Sequence, residues 1–206
     1  MHTHETEFVI LDVETTGLDP LSGDRIIEIA AKKIKNRQVV DIFQSFINPQ
    51  REIPLEAQQI NNITEAMIAD APFHDVVLPQ VLQFIGGACL VGHNIGFDLK
   101  FLCYELSLLG RKLNEATPAL DTLKMSKRFL PQLTSHRLEN IAIFLGVKIK
   151  ETHRALADVE LTAAVLRHFI NMAAAQKVAT FKQLVDEFSV IKPVFKIEQV
   201  HQEFLF

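Results

Sequence analysis

The feature that most constrains this fold is a short apolar run that ends in two acidic residues. Residues 8–13 read Phe-Val-Ile-Leu-Asp-Val, and Glu14 and then Thr-Thr-Gly follow, a pattern that predicts a buried β-strand. Because side chains alternate along a strand, Asp12 and Glu14 lie on one face with the apolar residues before them. Apolar residues on both faces indicate that both faces of the sheet are covered. The strand therefore carries two neighbouring carboxylates at the end of a buried element.

Apolar periodicity along the rest of the chain predicts a mixed sheet covered by helices, an α/β fold. Residues 26–34 and 39–47 read as two strands joined by a polar turn, so the first 48 residues form an antiparallel meander. Residues 89–91 read as a fourth strand. Helices are predicted at 54–60, 64–69, 73–85, 96–109, 121–129, 135–145 with Ser135 as its cap, and 154–175.

The length of the chain, 206 residues, is enough for one domain with a sizeable core. We place that domain at residues 1–175 and a C-terminal extension at 176–206, where the apolar pattern weakens. The first residues lack the basic and apolar stretches of a secretion signal. No apolar run reaches membrane-spanning length, and the two cysteines have no CxxC spacing. We therefore expect a soluble, cytoplasmic protein.

Two further acidic residues stand where apolar residues are expected. Asp158 begins an apolar stripe of the helix at 154–175, and Asp98 lies between two apolar residues near the start of another helix. Four acids about 4 Å apart repel by roughly 4 kcal/mol per pair at an effective dielectric constant of about 20, so convergence requires protonation or bound cations. Carboxylate oxygens suit Mg²⁺ or Mn²⁺. Each acid could instead be a helix cap or a salt-bridge partner.

Charge is distributed unevenly although the formal net charge is only −4. Residues 1–99 are net acidic and residues 100–154 are net basic. Lys124, Lys127 and Arg128 fall on one face of the helix predicted there. This face is either an ordinary solvated surface or a source of charge that attracts phosphate.

These residues together resemble the DEDDh branch of the DnaQ-like 3′–5′ exonucleases, the family of the proofreading subunit of bacterial replicative polymerases. The first motif runs from Phe8 to Leu18 and continues as Asp-Arg-Ile-Ile-Glu-Ile-Ala at 24–30. The second reads Val-Gly-His-Asn-Ile-Gly-Phe-Asp at 91–98, and the third His-Arg-Ala-Leu-Ala-Asp at 153–158. Three motifs in this order and spacing are far more specific than one Asp-x-Glu pair.

The resemblance implies an RNase H-like fold with a mixed five-stranded sheet flanked by helices. It implies that two divalent cations, Mg²⁺ or Mn²⁺, are held where one activates water and the other stabilises the leaving 3′ oxygen. His153 would be the general base, for which an unperturbed pKa near 6.5 is suitable at neutral pH. The catalytic residues implied are Asp12, Glu14, Asp98, His153 and Asp158, of which the four acids are also the metal ligands.

The family also indicates which residues hold the terminal nucleotide. Thr15, Thr16 and Leu18 follow the first acidic pair, and Leu18 would wedge against the last base. His93 and Phe97 are expected to line the same pocket, although a core position is an equal alternative for the phenylalanine. The chain departs from many relatives in having Asn-Asn at 61–62 where they have His-Gly.

The activity implied is the release of nucleoside 5′-monophosphates from single-stranded or frayed DNA 3′ ends, in proofreading or repair. An RNA 3′-end exonuclease of the same family is one alternative. A non-catalytic module that binds nucleic acid or a sliding clamp is another, of a different class.

The last five residues read Gln-Glu-Phe-Leu-Phe. They resemble the short peptides by which bacterial replication proteins dock on the sliding clamp, with Gln202, Leu205 and Phe206 as the anchoring residues. A replicative polymerase subunit or the clamp is thus a candidate partner. A terminal strand or an amphipathic fragment is equally compatible with so short a pattern.

Overall fold

A computed structural model describes residues 6–149, 154–178 and 180–196. Its five strands form one mixed sheet in the order β3-β2-β1-β4-β5. Strands β1, β2 and β3 pair antiparallel, whereas β4 pairs parallel with both β1 and β5. The strands are β1 (Phe8–Thr15), β2 (Ile26–Lys35), β3 (Gln38–Phe46), β4 (Cys89–Gly92) and β5 (Ala119–Asp121). The predicted five-stranded mixed sheet flanked by helices is confirmed.

Helices cover both faces of this sheet. The helices are α1 (Leu55–Asn61), α2 (Glu65–Ile68), α3 (His74–Ile85), α4 (Gly96–Leu108), α5 (Thr122–Phe129), α6 (Leu138–Phe144), α7 (Ala155–Ala175) and α8 (Phe181–Phe188). In the described ranges, none of the helices combines the length and the apolar character needed to cross a bilayer.

Strand β1 is buried on both faces, as its apolar pattern predicts. Val9, Leu11 and Val13 belong to one core with α3 and α4. Phe8 and Ile10 belong to a second core, formed with α5, α6, α7 and α8. Asp12 and Glu14 follow these two residues on the same face, so β1 directs both carboxylates towards the α7 side.

The structure differs from the sequence-based expectation at β5 and α6. Residues 119–121 form a strand that pairs with β4, and Asp121 ends it while accepting the backbone N–H of Leu123 at the start of α5. Helix α6 begins at Leu138, and the Ser135 side chain accepts a hydrogen bond from Asn140 instead of capping the helix. The Ser135 prediction is therefore wrong.

The described part of the C-terminal extension packs onto the domain. Leu184 and Phe188 of α8 are buried in the core on the α7 side of the sheet, and Ser189 forms an isolated antiparallel bridge with Leu120 of β5. Beyond it, the ammonium group of Lys192 donates to three backbone carbonyls of residues 114–117. These contacts cover the β5 edge of the sheet, while the boundary at residue 175 stays a prediction.

Candidate active site

Three of the predicted acids converge at the end of β1. Asp12 and Glu14 project from β1, and Asp158 lies in the first turn of α7. Each offers a carboxylate oxygen, and these oxygens all lie within 4.8 Å of one another. All three side chains are partly buried. The carboxylates therefore form a compact acidic cluster between the sheet and α7.

A buried glutamate holds the start of α7 against the sheet. Glu28 of β2 lies opposite Glu14 in the strand pairing and is fully buried. Its carboxylate accepts two hydrogen bonds from the Arg154 guanidinium, at 3.0 and 3.1 Å, and one from the Ala155 N–H at 3.3 Å. Arg154 precedes the helix without capping it through its own side chain. Glu28 therefore supplies the cap and fixes the turn that carries Asp158.

Sequence reasoning did not identify this pair. Glu28 lies within the first quoted motif, between apolar residues of a buried strand, and that position was the available signal. A glutamate in such a place requires a partner, because a buried unpaired carboxylate is costly. The partner, Arg154, lies 126 positions further along the chain, so the spacing of residues along the chain could not reveal it.

Asp98 lies beside the acidic cluster and makes a different contact. It is buried near the start of α4, and its Oδ1 accepts the Val13 N–H at 3.0 Å. Val13 stands beyond the last residue of β1 that pairs with β4, so this carboxylate completes the hydrogen bonding of β1. Burial raises the pKa of Asp98 to about 8, although the Val13 N–H acts in the opposite direction. Asp98 does not belong to the group within 4.8 Å, and its role as a metal ligand stays a prediction.

Burial and repulsion raise the carboxyl pKa values of Asp12 and Glu14 above the ordinary range. Burial raises the pKa of Glu14 to about 8; repulsion by Asp158 and Glu28 adds to this, and Arg154 acts against it. Burial and then repulsion from the other acids hold the pKa of Asp12 well above its usual range. Positive charge placed among these oxygens would reverse both effects.

The donor set suits a hard divalent cation. The cluster offers carboxylate oxygens, and no histidine or cysteine belongs to it within the described ranges. Oxygen ligands of this kind are those that Mg²⁺ and Mn²⁺ prefer. The raised pKa values of Asp12 and Glu14 indicate that added positive charge would favour the ionised form of both carboxyl groups. The residues present therefore fit a divalent metal site.

Of the residues predicted to hold the terminal nucleotide, Thr15 ends β1, and Thr16 and Leu18 lie in the loop that follows it. The Thr15 hydroxyl donates to the Gly17 carbonyl, and the Thr16 hydroxyl donates to Asp24 and accepts the Arg25 N–H. Both threonines are buried. Leu18 is 80% exposed, so its side chain is accessible to a ligand. Its proposed contact with a base stays a prediction that this exposure supports.

His93 and Phe97 lie on different parts of the second motif. His93 lines a cleft of about 710 Å³ that also includes Asp12 and Asp158. Its Nε2 donates to the His136 carbonyl at 3.0 Å, and burial lowers its pKa. Phe97 is partly buried, with its ring centre 5.0 Å from that of Phe101. Contact of either residue with substrate stays a prediction.

Asn61 stands where the family resemblance implies a histidine. It is buried, and its side-chain amide donates to the Thr15 carbonyl at 3.5 Å while its carbonyl accepts the Ile63 N–H at 2.9 Å. Asn62 ends α1 with a left-handed φ of 57°, a conformation that asparagine tolerates nearly as glycine does. The asparagine pair therefore supports the loop that follows the acidic strand.

Some predicted residues lie outside the described residues. These are the general base His153 and the clamp-docking residues Gln202, Leu205 and Phe206. Their roles stay predictions.

Comparison with known proteins gives consistent matches to exonucleases and to a DNA polymerase. Residues 9–166 match the profile of RNase_T, described as an exonuclease family. DNA polymerase III PolC-type from Caldanaerobacter subterraneus subsp. tengcongensis is 42% identical over 168 residues, which are 82% of this chain and 12% of that protein. The 3′–5′ exonuclease DinG of Bacillus subtilis is 35% identical over 181 residues, which are 88% of this chain and 19% of that protein. The chain thus spans less than a fifth of the length of these curated relatives.

A solved structure of similar size shares the fold. Exonuclease X in complex with 5′-overhanging duplex DNA superposes with a TM-score of 0.70 at 27% sequence identity. The superposition covers 87% of this chain and 98% of that one. The chain therefore corresponds to nearly the whole of this neighbour and to a single region of the longer relatives.

Proposed function

The chain belongs to the RNase_T exonuclease family, and we propose that it is a divalent-metal-dependent 3′–5′ exonuclease acting on DNA. In each cycle it would hydrolyse the terminal phosphodiester at a 3′ end and release a nucleoside 5′-monophosphate. The observation that carries this proposal is the convergence of Asp12, Glu14 and Asp158 on one point between β1 and α7. A non-catalytic module has no need of carboxylates whose repulsion opposes their own convergence.

Asp12, Glu14 and Asp158, together with Asp98 as a fourth ligand, would hold two divalent cations, Mg²⁺ or Mn²⁺. Such cations activate water and neutralise charge on the phosphate and the leaving oxygen. Asp98 also orders β1 through the Val13 N–H, so it keeps Asp12 and Glu14 in place. Glu28 does the same for Asp158 through the start of α7.

The remaining steps fall to residues around the cluster. His153 would take the proton of the attacking water as its oxygen bonds to phosphorus. The bond from phosphorus to the 3′ oxygen then breaks, and that oxygen stays on the shortened strand. Leu18, exposed on the loop after β1, would pack against the terminal base and hold it apart from its neighbour.

DNA is proposed as the substrate because two of the matching proteins described above concern DNA by name. The PolC-type relative is a DNA polymerase, and exonuclease X was solved on duplex DNA. A proofreading or repair role, at the 3′ end of single-stranded or frayed DNA, is consistent with both. The proposal for this chain is narrower than the activities of the longer relatives, because the chain spans only part of them.

The test is digestion of end-labelled oligonucleotides with and without divalent metal. Wild-type protein is expected to shorten DNA from its 3′ end in Mg²⁺ or Mn²⁺, and to do so faster on mispaired than on paired termini. Asp12→Asn should abolish the activity, while Asp70→Asn, at an exposed position, is the matched control. Faster digestion of a matched RNA oligomer would transfer the proposal to RNA ends. Equal activity in wild type and Asp12→Asn would contradict it.

Docking on a sliding clamp through Gln202, Leu205 and Phe206 is a separate proposal. It rests on the resemblance of the last five residues to clamp-binding peptides, with an anchoring glutamine and an apolar pair filling a pocket. The chain without residues 202–206 should retain exonuclease activity and lose clamp binding. Clamp binding that is unchanged by the deletion, or absent from the full chain, would refute it.

A further inference from the structure

The cleft beside the acidic cluster has a basic side. Lys127 of α5 and Arg137, which directly precedes α6, line the same cleft as Asp12 and Asp158. Both basic side chains are exposed. Within the part of the chain that the structure describes, neither forms an ion pair or a side-chain hydrogen bond. Two basic side chains that form no ion pair among the described residues therefore line the same cleft as the acidic residues.

The other basic residues of α5 are committed elsewhere. Lys124 donates to the Ser189 carbonyl at 2.7 Å, and Arg128 pairs with Glu187 at 3.1 Å. Both contacts attach α5 to the C-terminal segment that begins with α8. Of the three basic residues that the sequence places on one face of this helix, Lys124 and Arg128 thus hold the C-terminal segment, and only Lys127 lines the cleft.

The charge of the substrate gives this arrangement a purpose. A nucleic-acid strand carries one negative charge per nucleotide, whereas an acidic cluster attracts cations and repels phosphates. A strand whose last phosphodiester lies at the acids must place its preceding phosphates nearby, and cations along the approach would offset the repulsion. Glu139 also lines the cleft, so the attraction is local to a few phosphates and does not amount to a broad positive field.

We propose that Lys127 and Arg137 bind backbone phosphates of the nucleotides preceding the scissile bond, and so make the enzyme prefer strands to single-phosphate esters. The inference rests on the proposed exonuclease function and names the part of the strand that these residues recognise. Arginine can bind a phosphate through two donors, and lysine binds it as a point charge. Neither residue touches the reacting phosphate, so both act as substrate-positioning residues.

The test compares two substrates that differ in the phosphates preceding the scissile bond. One is a labelled single-stranded DNA, and the other is the p-nitrophenyl ester of thymidine 5′-monophosphate, which carries only the reacting phosphate. Lys127→Gln and Arg137→Gln should each raise KM for the DNA about 3- to 10-fold and leave kcat/KM for the ester within about 2-fold. Each should also reduce the slope of log(kcat/KM) against log salt on DNA by about 0.7. Lys124→Gln, on the same helix, is the control and should leave both substrates unaffected.

Three outcomes separate this proposal from the one on which it rests. An unchanged KM for DNA in both variants would overturn the phosphate sites while leaving the exonuclease function intact. An equal loss on DNA and ester would also overturn them, because it would indicate a disturbed acidic cluster. Fluorescence anisotropy of the same labelled DNA provides an independent readout. The wild-type protein could bind the DNA and yet hydrolyse neither substrate. If Lys127→Gln and Arg137→Gln then bind the DNA more weakly than wild type, the phosphate sites are supported and the exonuclease function is refuted.

Discussion

Substitution of Glu14 by glutamine should stabilise the metal-free protein at neutral pH. Below pH 4.5 this carboxyl is protonated in both the folded and the unfolded chain. Between pH 4.5 and about 8 the unfolded chain releases the proton and the folded protein retains it, because burial and the charges of Asp158 and Glu28 raise the folded pKa to about 8. The folded state then binds more protons than the unfolded state, so the free energy of unfolding falls as pH rises through this window.

The size of the effect follows from the window. Each pH unit within it removes about 1.36 kcal/mol of stability for one group. The two units from pH 5 to pH 7 therefore give about 2.7 kcal/mol, which solvent screening of the partly exposed Glu14 reduces to about 2 kcal/mol. Substitution by glutamine keeps the shape and removes the titration. At pH 5 the two proteins should be similar in stability, and at pH 7 Glu14→Gln should be more stable by about 2 kcal/mol.

The assay is urea unfolding in EDTA at pH 5, 6, 7 and 8, with Glu52→Gln, an exposed surface change, as the matched control. The difference between Glu14→Gln and wild type should grow with pH, whereas the control should follow the wild type. Mg²⁺ or Mn²⁺ should then stabilise wild type more than Glu14→Gln, because the cation can displace the Glu14 proton and bind the carboxylate, which glutamine lacks. Parallel pH profiles for wild type and Glu14→Gln would refute the account of the acidic cluster given above.

Three further predictions concern the supports of the site. Glu28→Gln should lower the free energy of unfolding, measured by urea denaturation, by about 2 kcal/mol, because it breaks the buried ion pair with Arg154. A variant as stable as the wild type would contradict the capping role of Glu28. Gly17→Ala should raise KM for DNA more than it lowers kcat. A Cβ at this position would lie within 2.5 Å of the Asp24 carboxylate and displace the loop that carries Leu18. Steady-state kinetics unchanged from wild type would contradict this, because they would show that the loop accommodates the methyl group. Lys192→Met should accelerate chymotrypsin cleavage within 189–196, because three carbonyls lose their donor; an unchanged cleavage rate would mean that α8 alone holds the segment.

The strands of the meander could be predicted because their apolar pattern is long and regular. Strand β5 could not, since its three residues, Ala119–Asp121, are too few to show a period. Asp121 gave the signal of a helix start, and it does cap α5 while also ending the strand. A sequence pattern that assigns each residue to one element cannot indicate that Asp121 both ends a strand and caps a helix.

Helix α8 was missed although its signals were present. Phe181, Leu184, Val185 and Phe188 stand at helical spacing, and Thr180 forms a capping box with Gln183. The surrounding segment lacks the apolar density of the domain core, and that contrast favoured an appendage. For short helices, therefore, cap residues and i, i+3, i+4, i+7 spacing are more informative than average composition.

In the candidate site too, features that depend on neighbouring residues could be predicted, whereas contacts between distant residues could not. The acids could be found in the sequence because they interrupt apolar patterns, which is a local property. Their supports could not, because the contacts of Glu28 with Arg154 and of Asp98 with Val13 join residues 126 and 85 positions apart. Only a fold that is already known brings such partners together.

These supports also separate the acids of the site into two groups. Glu28 is compensated by the protein itself, through a guanidinium and a backbone N–H group. Asp12, Glu14 and Asp98 instead have carboxyl pKa values raised chiefly by burial. Cations should therefore bind among these carboxyl groups, which the protein compensates less than it does Glu28. Loss of Glu28 should mainly disturb the position of α7 and affect metal affinity only through that shift. Loss of Glu14 should reduce metal affinity directly, while α7 stays in place.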